Sequence, residues 1–171
     1  MKKILVSDYD RTFYLNKEGI KKNIEAVEKF RKNGNLFVIA TGRSFLDFKK
    51  KQYKYHFNYD YVILNHGATI LDRKGHILDN NVINNEVVLD IKKDVQDIKT
   101  KKQFCCSAKE SRVGFLFGNI TKIYLEYESQ NITTMVNEMI NNKYGEYVNS
   151  YDAGWNIVET ISSKCDKKQL F

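Results

Sequence analysis

Short apolar runs alternate with amphipathic segments over the first 64 residues, and the alternation predicts a parallel sheet with helical crossovers. Lys3–Ser7 is an apolar run ending in polar residues, which reads as a buried strand. Ile20, Ile24, Val27 and Phe30 then recur at helical spacing, with Gly34 where that helix should stop. Leu36–Ala40 is a second apolar strand, and Ser44 is placed to cap a helix whose apolar face begins with Phe45, Leu46 and Phe48. Tyr61–Leu64 is a third buried strand. Strand, helix, strand, helix, strand in this order favours parallel pairing through right-handed crossovers. The strands run into Asp8–Thr12, Thr41–Ser44 and Asn65–Ala68, all polar or glycine-containing. Ligands of such sheets collect at the carboxyl ends of the strands, so three loops are expected at one rim.

After Ala68 the pattern changes. Thr69–Asp72 and His76–Asp79, separated by Arg73-Lys74-Gly75, predict a hairpin. Val87, Val88, Ile91, Val95 and Ile98 predict a helix with Asn85 as its cap, and Ile132, Met135, Val136, Met139 and Ile140 predict another. Strands are expected at Phe104–Ala108, Val113–Phe117, Lys122–Glu128, Tyr144–Ser150 and Trp155–Thr160. This describes an α+β module at 71–158 inserted into an α/β core made of 1–70 and 159–171. No proline-rich linker marks a boundary, because the chain has no proline.

Composition narrows the chemistry. The chain has 171 residues, 42% hydrophobic and 29% charged, as expected of a folded globular protein. No apolar run approaches the roughly 20 residues that cross a bilayer, and the apolar stretch near the N-terminus is too short for a signal peptide. No membrane association and a cytoplasmic location are the expectations. The net charge of +7 is spread over lysine pairs on predicted polar helix faces, without a nucleic-acid-binding motif, so no nucleic-acid partner is expected. The same field would draw in a small anion. Cys105 and Cys106 are adjacent, and His56, His66 and His76 are isolated, so neither set has metal-ligand spacing. Carboxylates remain as ligands, which favours a hard ion such as Mg²⁺.

Asp8 and Asp10 flank Tyr9 on the turn that leaves the first strand. Two residues apart on extended backbone, they face one side and can reach one ligand. One can attack phosphorus while the other handles a proton. Backbone N–H groups of the turn, Tyr9 included, can cradle phosphate oxygens. Thr41 and the unhindered Gly42 amide suit a phosphoryl oxygen, and a lysine must offset the charge spread in the transition state. Lys164, after the last strand of the inserted module, is the candidate.

Ser7-Asp8-Tyr9-Asp10-Arg11-Thr12, Ala40-Thr41-Gly42-Arg43-Ser44, Asn65-His66-Gly67-Ala68 and Ser163-Lys164, in this order, resemble the motifs of the haloacid dehalogenase-like phosphatases, and among them the Cof-type (IIB) hydrolases. The resemblance implies a Rossmann-like core carrying an α+β cap. It implies a Mg²⁺-dependent hydrolase of a small phosphorylated metabolite such as a sugar phosphate. Asp8 would be the nucleophile and Asp10 the general acid/base. Tyr9, Thr41, Gly42 and Lys164 would bind the phosphoryl group, and Asp8 with the Asp10 carbonyl would bind the metal. Arg43 and Asn65 would face cap or substrate.

The chain departs from the family pattern in three places. Arg11 stands where glycine is usual, and His66 where asparagine is common. An acidic GDxxND-like segment, which supplies further metal ligands in the family, is absent from the 171 residues. The expectations are therefore a C-terminally incomplete core sheet, weak or no activity in this short form, and self-association through an exposed sheet edge. Phosphoryl transfer to a second substrate, or phosphate binding without turnover, stand as alternatives.

Overall fold

Two sheets, each covered by helices, account for the apolar pattern in the computed structural model, which describes residues 1–165. The first sheet contains β1 (Ile4–Asp8), β2 (Leu36–Ala40), β3 (Tyr61–Leu64), β4 (Thr69–Asp72) and β5 (Ile77–Asn80), in that spatial order. β1, β2 and β3 are parallel, and β4 and β5 extend the sheet antiparallel. Helices α1 (Lys17–Lys32) and α2 (Phe45–Tyr55) make the crossovers. They bury Ile20, Val27 and Phe48 against Phe37, Ile39 and Val62. Asn16 caps α1, its Oδ1 accepting from the Glu18 and Gly19 amides at 3.1 and 2.8 Å.

The second sheet has the order β7-β6-β8-β10-β9 and is antiparallel throughout. Its strands are β6 (Lys102–Cys106), β7 (Ser111–Val113), β8 (Lys122–Glu126), β9 (Val148–Gly154) and β10 (Ile157–Ser162). Helices α3 (Asn85–Val95) and α4 (Gln130–Tyr144) cover one face. Ile123, Leu125 and Tyr127 point into the core beneath them, alongside Ile91, Val136 and Ile140. With the alternation of a strand, Lys122, Tyr124 and Glu126 occupy the opposite face. That face looks at the first sheet.

Two boundaries differ from those read from the sequence. The β4–β5 hairpin belongs to the core sheet, so the inserted module begins near Ile83 rather than at 71. A hairpin can extend a parallel sheet as readily as start a new one, and local pattern does not say which. At the other end, β10 runs through Ser162 inside the second sheet, so Glu159–Ser162 belong to the cap and not to the core. Tyr144 closes α4 instead of opening a strand.

β1 lies at the edge of the first sheet, paired with β2, and exposes Ile4 and Leu5. Across the sheet, Asp60 joins three elements. Its carboxylate accepts from Arg31 Nε and Nη2 of α1 at 2.9 and 3.0 Å and from the Phe37 amide of β2 at 2.9 Å. The Arg31 fork holds the Asp60 carboxyl below its ordinary value of 3.8. Asp60→Ala should therefore cost about 3 kcal/mol at pH 7, because a half-buried guanidinium and a backbone N–H lose their acceptor. The stabilising effect is complete above 3.8 and disappears as the pH falls through the lowered value. Chemical denaturation of parent and variant at pH 7 and near pH 3 checks this; the difference should shrink at the lower pH.

Candidate active site

The register of the parallel strands decides where the loops meet. Asp8 pairs with Ala40 and Ala40 with Ile63, so β1, β2 and β3 end level with one another. The loops that follow open into a cavity of about 610 Å³ between the two sheets. Asp8, Asp10, Thr41, Gly42 and Arg43 all line it. Thr41 is buried, and its Oγ1 accepts from the Arg43 amide at 3.2 Å. Arg43 donates from Nε and Nη2 to the two Asp10 carboxylate oxygens, at 2.8 and 2.7 Å, a bidentate pair. Donating to the Asp10 carboxylate raises the pKa of Arg43 above its ordinary value.

The Asp8–Tyr14 loop is closed by its own backbone. The Phe13 amide donates to Asp8 O at 3.0 Å and the Tyr14 amide to Tyr9 O at 2.7 Å. Arg11 takes φ of +63°, the region where glycine is unstrained, and lines the cavity. The Tyr9 side chain is fully buried among Phe13, Phe48 and Phe57, which leaves its backbone as the part available to a ligand. Burial also pushes the Tyr9 hydroxyl up from its usual pKa.

Gly42 is required by contact, not by φ. A Cβ at this position would stand 2.3 Å from the His66 ring. His66 itself has φ of +58° in a single 3-10 turn, Asn65–Gly67, which aims the imidazole over Gly42. His66 Nε2 lies 2.5 Å from Glu159 Oε2. Lys122 Nζ donates to Glu159 Oε1 at 2.6 Å and to the Gly42 carbonyl at 2.8 Å. Burial would raise the Glu159 carboxyl, but the His66 contact and the Lys122 charge outweigh it and hold the group at about 2. Strands β8 and β10 thus grip the Thr41–Ser44 loop of the core through a buried charge cluster.

Asn65 is buried beside that grip. Its Nδ2 donates to Thr121 Oγ1 at 3.1 Å, so it faces the cap and does not line the cavity. Ser111 Oγ donates to Ser44 Oγ at 2.6 Å, a further bond between cap and core. Lys164 does not reach this cavity either. It lines a separate cavity with Val82, Asn84, Glu146 and Tyr147. The turn after β10 causes this: the Ser163 amide donates to Tyr147 O and the Cys165 amide to Ser162 O, carrying Lys164 back along β9. Lys167 and Lys168 lie outside the described residues.

Sequence reading missed Lys122, Glu159 and the role of His66. The alternation around Lys122 was visible, since a lysine on the face opposite Ile123 and Leu125 needs a reason to be buried. Its partner on β10 was not.

The donor set bears on magnesium. Among the described residues no three acidic, thiol or imidazole groups form a metal cluster. Asp8 and Asp10 on one loop still suit an ion that takes one or two carboxylates and completes its shell with water and substrate oxygens.

Comparison with known proteins agrees with this fold. Residues 5–114 match the model of the haloacid dehalogenase-like hydrolase family, and the chain belongs to that family. An uncharacterized protein of Mycoplasma capricolum subsp. capricolum is 30% identical over 125 residues. That match covers 68% of this chain but 46% of the relative, just under half its length. Among solved structures, TM0651 from Thermotoga maritima superposes with a TM-score of 0.79 at 18% identity, over 99% of this chain and 72% of that one. A HAD/COF-like hydrolase from Plasmodium vivax gives 0.76 at 16% identity, over 99% and 71%. The sucrose-phosphatase from Synechocystis, solved with sucrose and phosphate, gives 0.67 at 16% identity, over 98% and 67%. The fold is the α/β core with an α+β cap found in these hydrolases. No helix among the described residues is long and apolar enough to cross a membrane.

Glu159→Gln should lower the melting temperature at pH 7 by about 5–10 °C, because Lys122, with 5% of its side chain exposed, loses its counter-charge. Glu159 is depressed from 4.5 to about 2, so its contribution is complete above 4.5 and lost as pH falls toward 2. Thermal melts across that range should show the two proteins converging at the acidic end.

Proposed function

We propose that the chain carries out phosphomonoester hydrolysis on a small phosphorylated metabolite in the cytoplasm, through an aspartyl-phosphate. The observation that carries the reading is the convergence of Asp8, Asp10, Thr41, Gly42 and Arg43, from two successive strand ends, on one cavity. An Asp8 carboxylate oxygen attacks phosphorus while the ester oxygen departs with a proton from Asp10 in its acid form. Asp10, now a carboxylate, takes a proton from water as the water oxygen attacks the same phosphorus. The bond to Asp8 breaks and inorganic phosphate leaves.

Thr41 Oγ1 and the Gly42 amide hold phosphoryl oxygens through both steps. Arg43 moves its fork from Asp10 to the incoming phosphate, which releases Asp10 for proton transfer. Asp8 and the Asp10 carbonyl would hold Mg²⁺, which supplies charge neutralisation to the phosphoryl oxygens when bound. Sugar phosphates are one class of candidate ester, in keeping with the likeness to a sucrose-phosphatase.

The test is phosphate release from an aryl phosphate with Mg²⁺. Asp8→Asn should reduce it at least about a thousandfold, roughly 4 kcal/mol of transition-state stabilisation. Lys164→Ala should leave kcat/KM within about twofold, since that side chain lines another cavity. An Asp8→Asn variant as fast as the parent would remove the nucleophile. The Arg43 fork on Asp10 favours a second reading, phosphate binding without turnover. In that case phosphate raises the melting temperature while no ester is cleaved, whereas transfer to an acceptor would give a new ester in place of free phosphate.

The open β1 edge, with Ile4 and Leu5 exposed, supports self-association by strand pairing. Light scattering should show mass rising with concentration, and Leu5→Lys should keep the protein monomeric. A parent that stays monomeric at high concentration ends this proposal.

A further inference from the structure

The cap wall of the cavity is aromatic where it faces the phosphate loops. Phe104 on β6 and Tyr124 on β8 are paired across the strands and stack, with ring centroids 4.4 Å apart and planes 16° from parallel. Both line the cavity, as do Ile157 and Trp155 at the turn between β9 and β10. The Lys102 ammonium lies 5.5 Å from the Phe104 centroid and 5.9 Å from that of Tyr124, adding positive field beside the pair.

Trp155 is unfavourable where it stands, on two counts. It is 83% exposed, so a large apolar surface meets water. It also has φ of +58°, followed by Asn156 at +62°. A two-residue hairpin loop with both central φ values positive is the type that selects Asn and Gly, and a bulky side chain there is strained. Nothing in the fold requires an aromatic ring at that tip. Strain combined with an exposed ring at a cavity points to a ligand.

Three polar groups of this wall, on Lys122, Glu159 and Tyr124, are already bonded within the protein. Lys122 and Glu159 bond to each other and to the Gly42 loop, and the Tyr124 hydroxyl donates to Glu126 at 3.1 Å. A polyol leaving group would bring several hydroxyls to a wall with few partners for them, and unpaired hydroxyls on burial disfavour binding. A flat ring asks for none. We infer that the Phe104–Tyr124–Trp155 wall is a stacking site, and that the ester it selects is the phosphate of an alcohol carrying a planar heteroaromatic ring rather than of an open-chain or sugar alcohol without one. This rests on the phosphomonoesterase reading for the phosphate end, while the ring site stands on the cap alone.

Trp155 is the single tryptophan of the chain, so its fluorescence reports this wall directly. The full-length Asp8→Asn protein, which should bind without turnover, is titrated with adenosine 5′-monophosphate and pyridoxine 5′-phosphate as ring esters. Glucose 6-phosphate, glycerol 3-phosphate and inorganic phosphate are the ring-free probes. Saturable fluorescence change with at least one ring ester, at least tenfold tighter than with glucose 6-phosphate, is expected. Calorimetry on Trp155→Asn should show ring-ester affinity reduced about tenfold and inorganic phosphate affinity changed less than twofold. The same variant should melt at the parent's temperature or higher, because asparagine suits the turn, so loss of binding cannot be assigned to misfolding.

Glucose 6-phosphate binding as tightly as both ring esters overturns the inference, as does unchanged ring-ester affinity in Trp155→Asn. If the parent cleaves glucose 6-phosphate faster than either ring ester, the hydrolase reading survives and this inference falls. If no ester is cleaved but a ring ester still binds at Trp155, the reverse holds.

Discussion

Level strand ends are the constraint on which the rest of this molecule depends. Because Asp8, Ala40 and Ile63 pair in register, the loops carrying Asp10, Gly42 and His66 leave the sheet at one height. A slip of one residue in β1 would turn Asp8 to the other face and separate it from Thr41. The register is secured by burial, since Phe37, Ile39, Val62 and Leu64 all enter the same core under α1 and α2. The hydrophobic effect thus positions carboxylates that it never touches.

At that edge the cap is fastened by a buried charge cluster, beside neutral hydrogen bonds from Asn65 and Ser111 and a small apolar contact of Ala68 with Ile161. Lys122 and Glu159 come from neighbouring cap strands, are bonded to one another, and reach the core at the Gly42 carbonyl and at His66. Gly42 is the shared element: its missing Cβ admits the His66 ring, its carbonyl receives Lys122, and it lines the cavity. A pair buried this way adds little net stability over an apolar replacement, but losing one member is expensive. Such a fastening fixes geometry more than it adds affinity between the layers. It also leaves the cap wall free to present Phe104, Tyr124 and Trp155 to the cavity.

Much of this was legible in the chain. Leu36–Ala40 and Tyr61–Leu64 were read to the residue, because a fully buried parallel strand is a continuous apolar run bounded by polar ones. Asp8, Thr41, Gly42 and Arg43 were legible as a group because local loops follow strand ends. What failed was everything that depends on which distant partner a face meets. The Thr69–Asn80 hairpin was seen but given to the wrong sheet. Glu159 was an unremarked acid on a strand, since alternation tells which side a residue faces and not what waits there. Lys164 was placed by order along the chain, while a turn closed by Ser162 and Ser163 takes it elsewhere.

The central claim is that Asp8 meets phosphorus with Thr41 and Gly42 holding the oxygens. A crystal structure of the protein grown with Mg²⁺ and beryllium trifluoride, a mimic of an acyl phosphate, tests it most directly. The account predicts the beryllium bonded to an Asp8 carboxylate oxygen, with fluorines received by Thr41 Oγ1 and the Gly42 amide and the Arg43 fork released from Asp10. The mimic bound at another residue, with Asp8 turned away from it, would contradict the account.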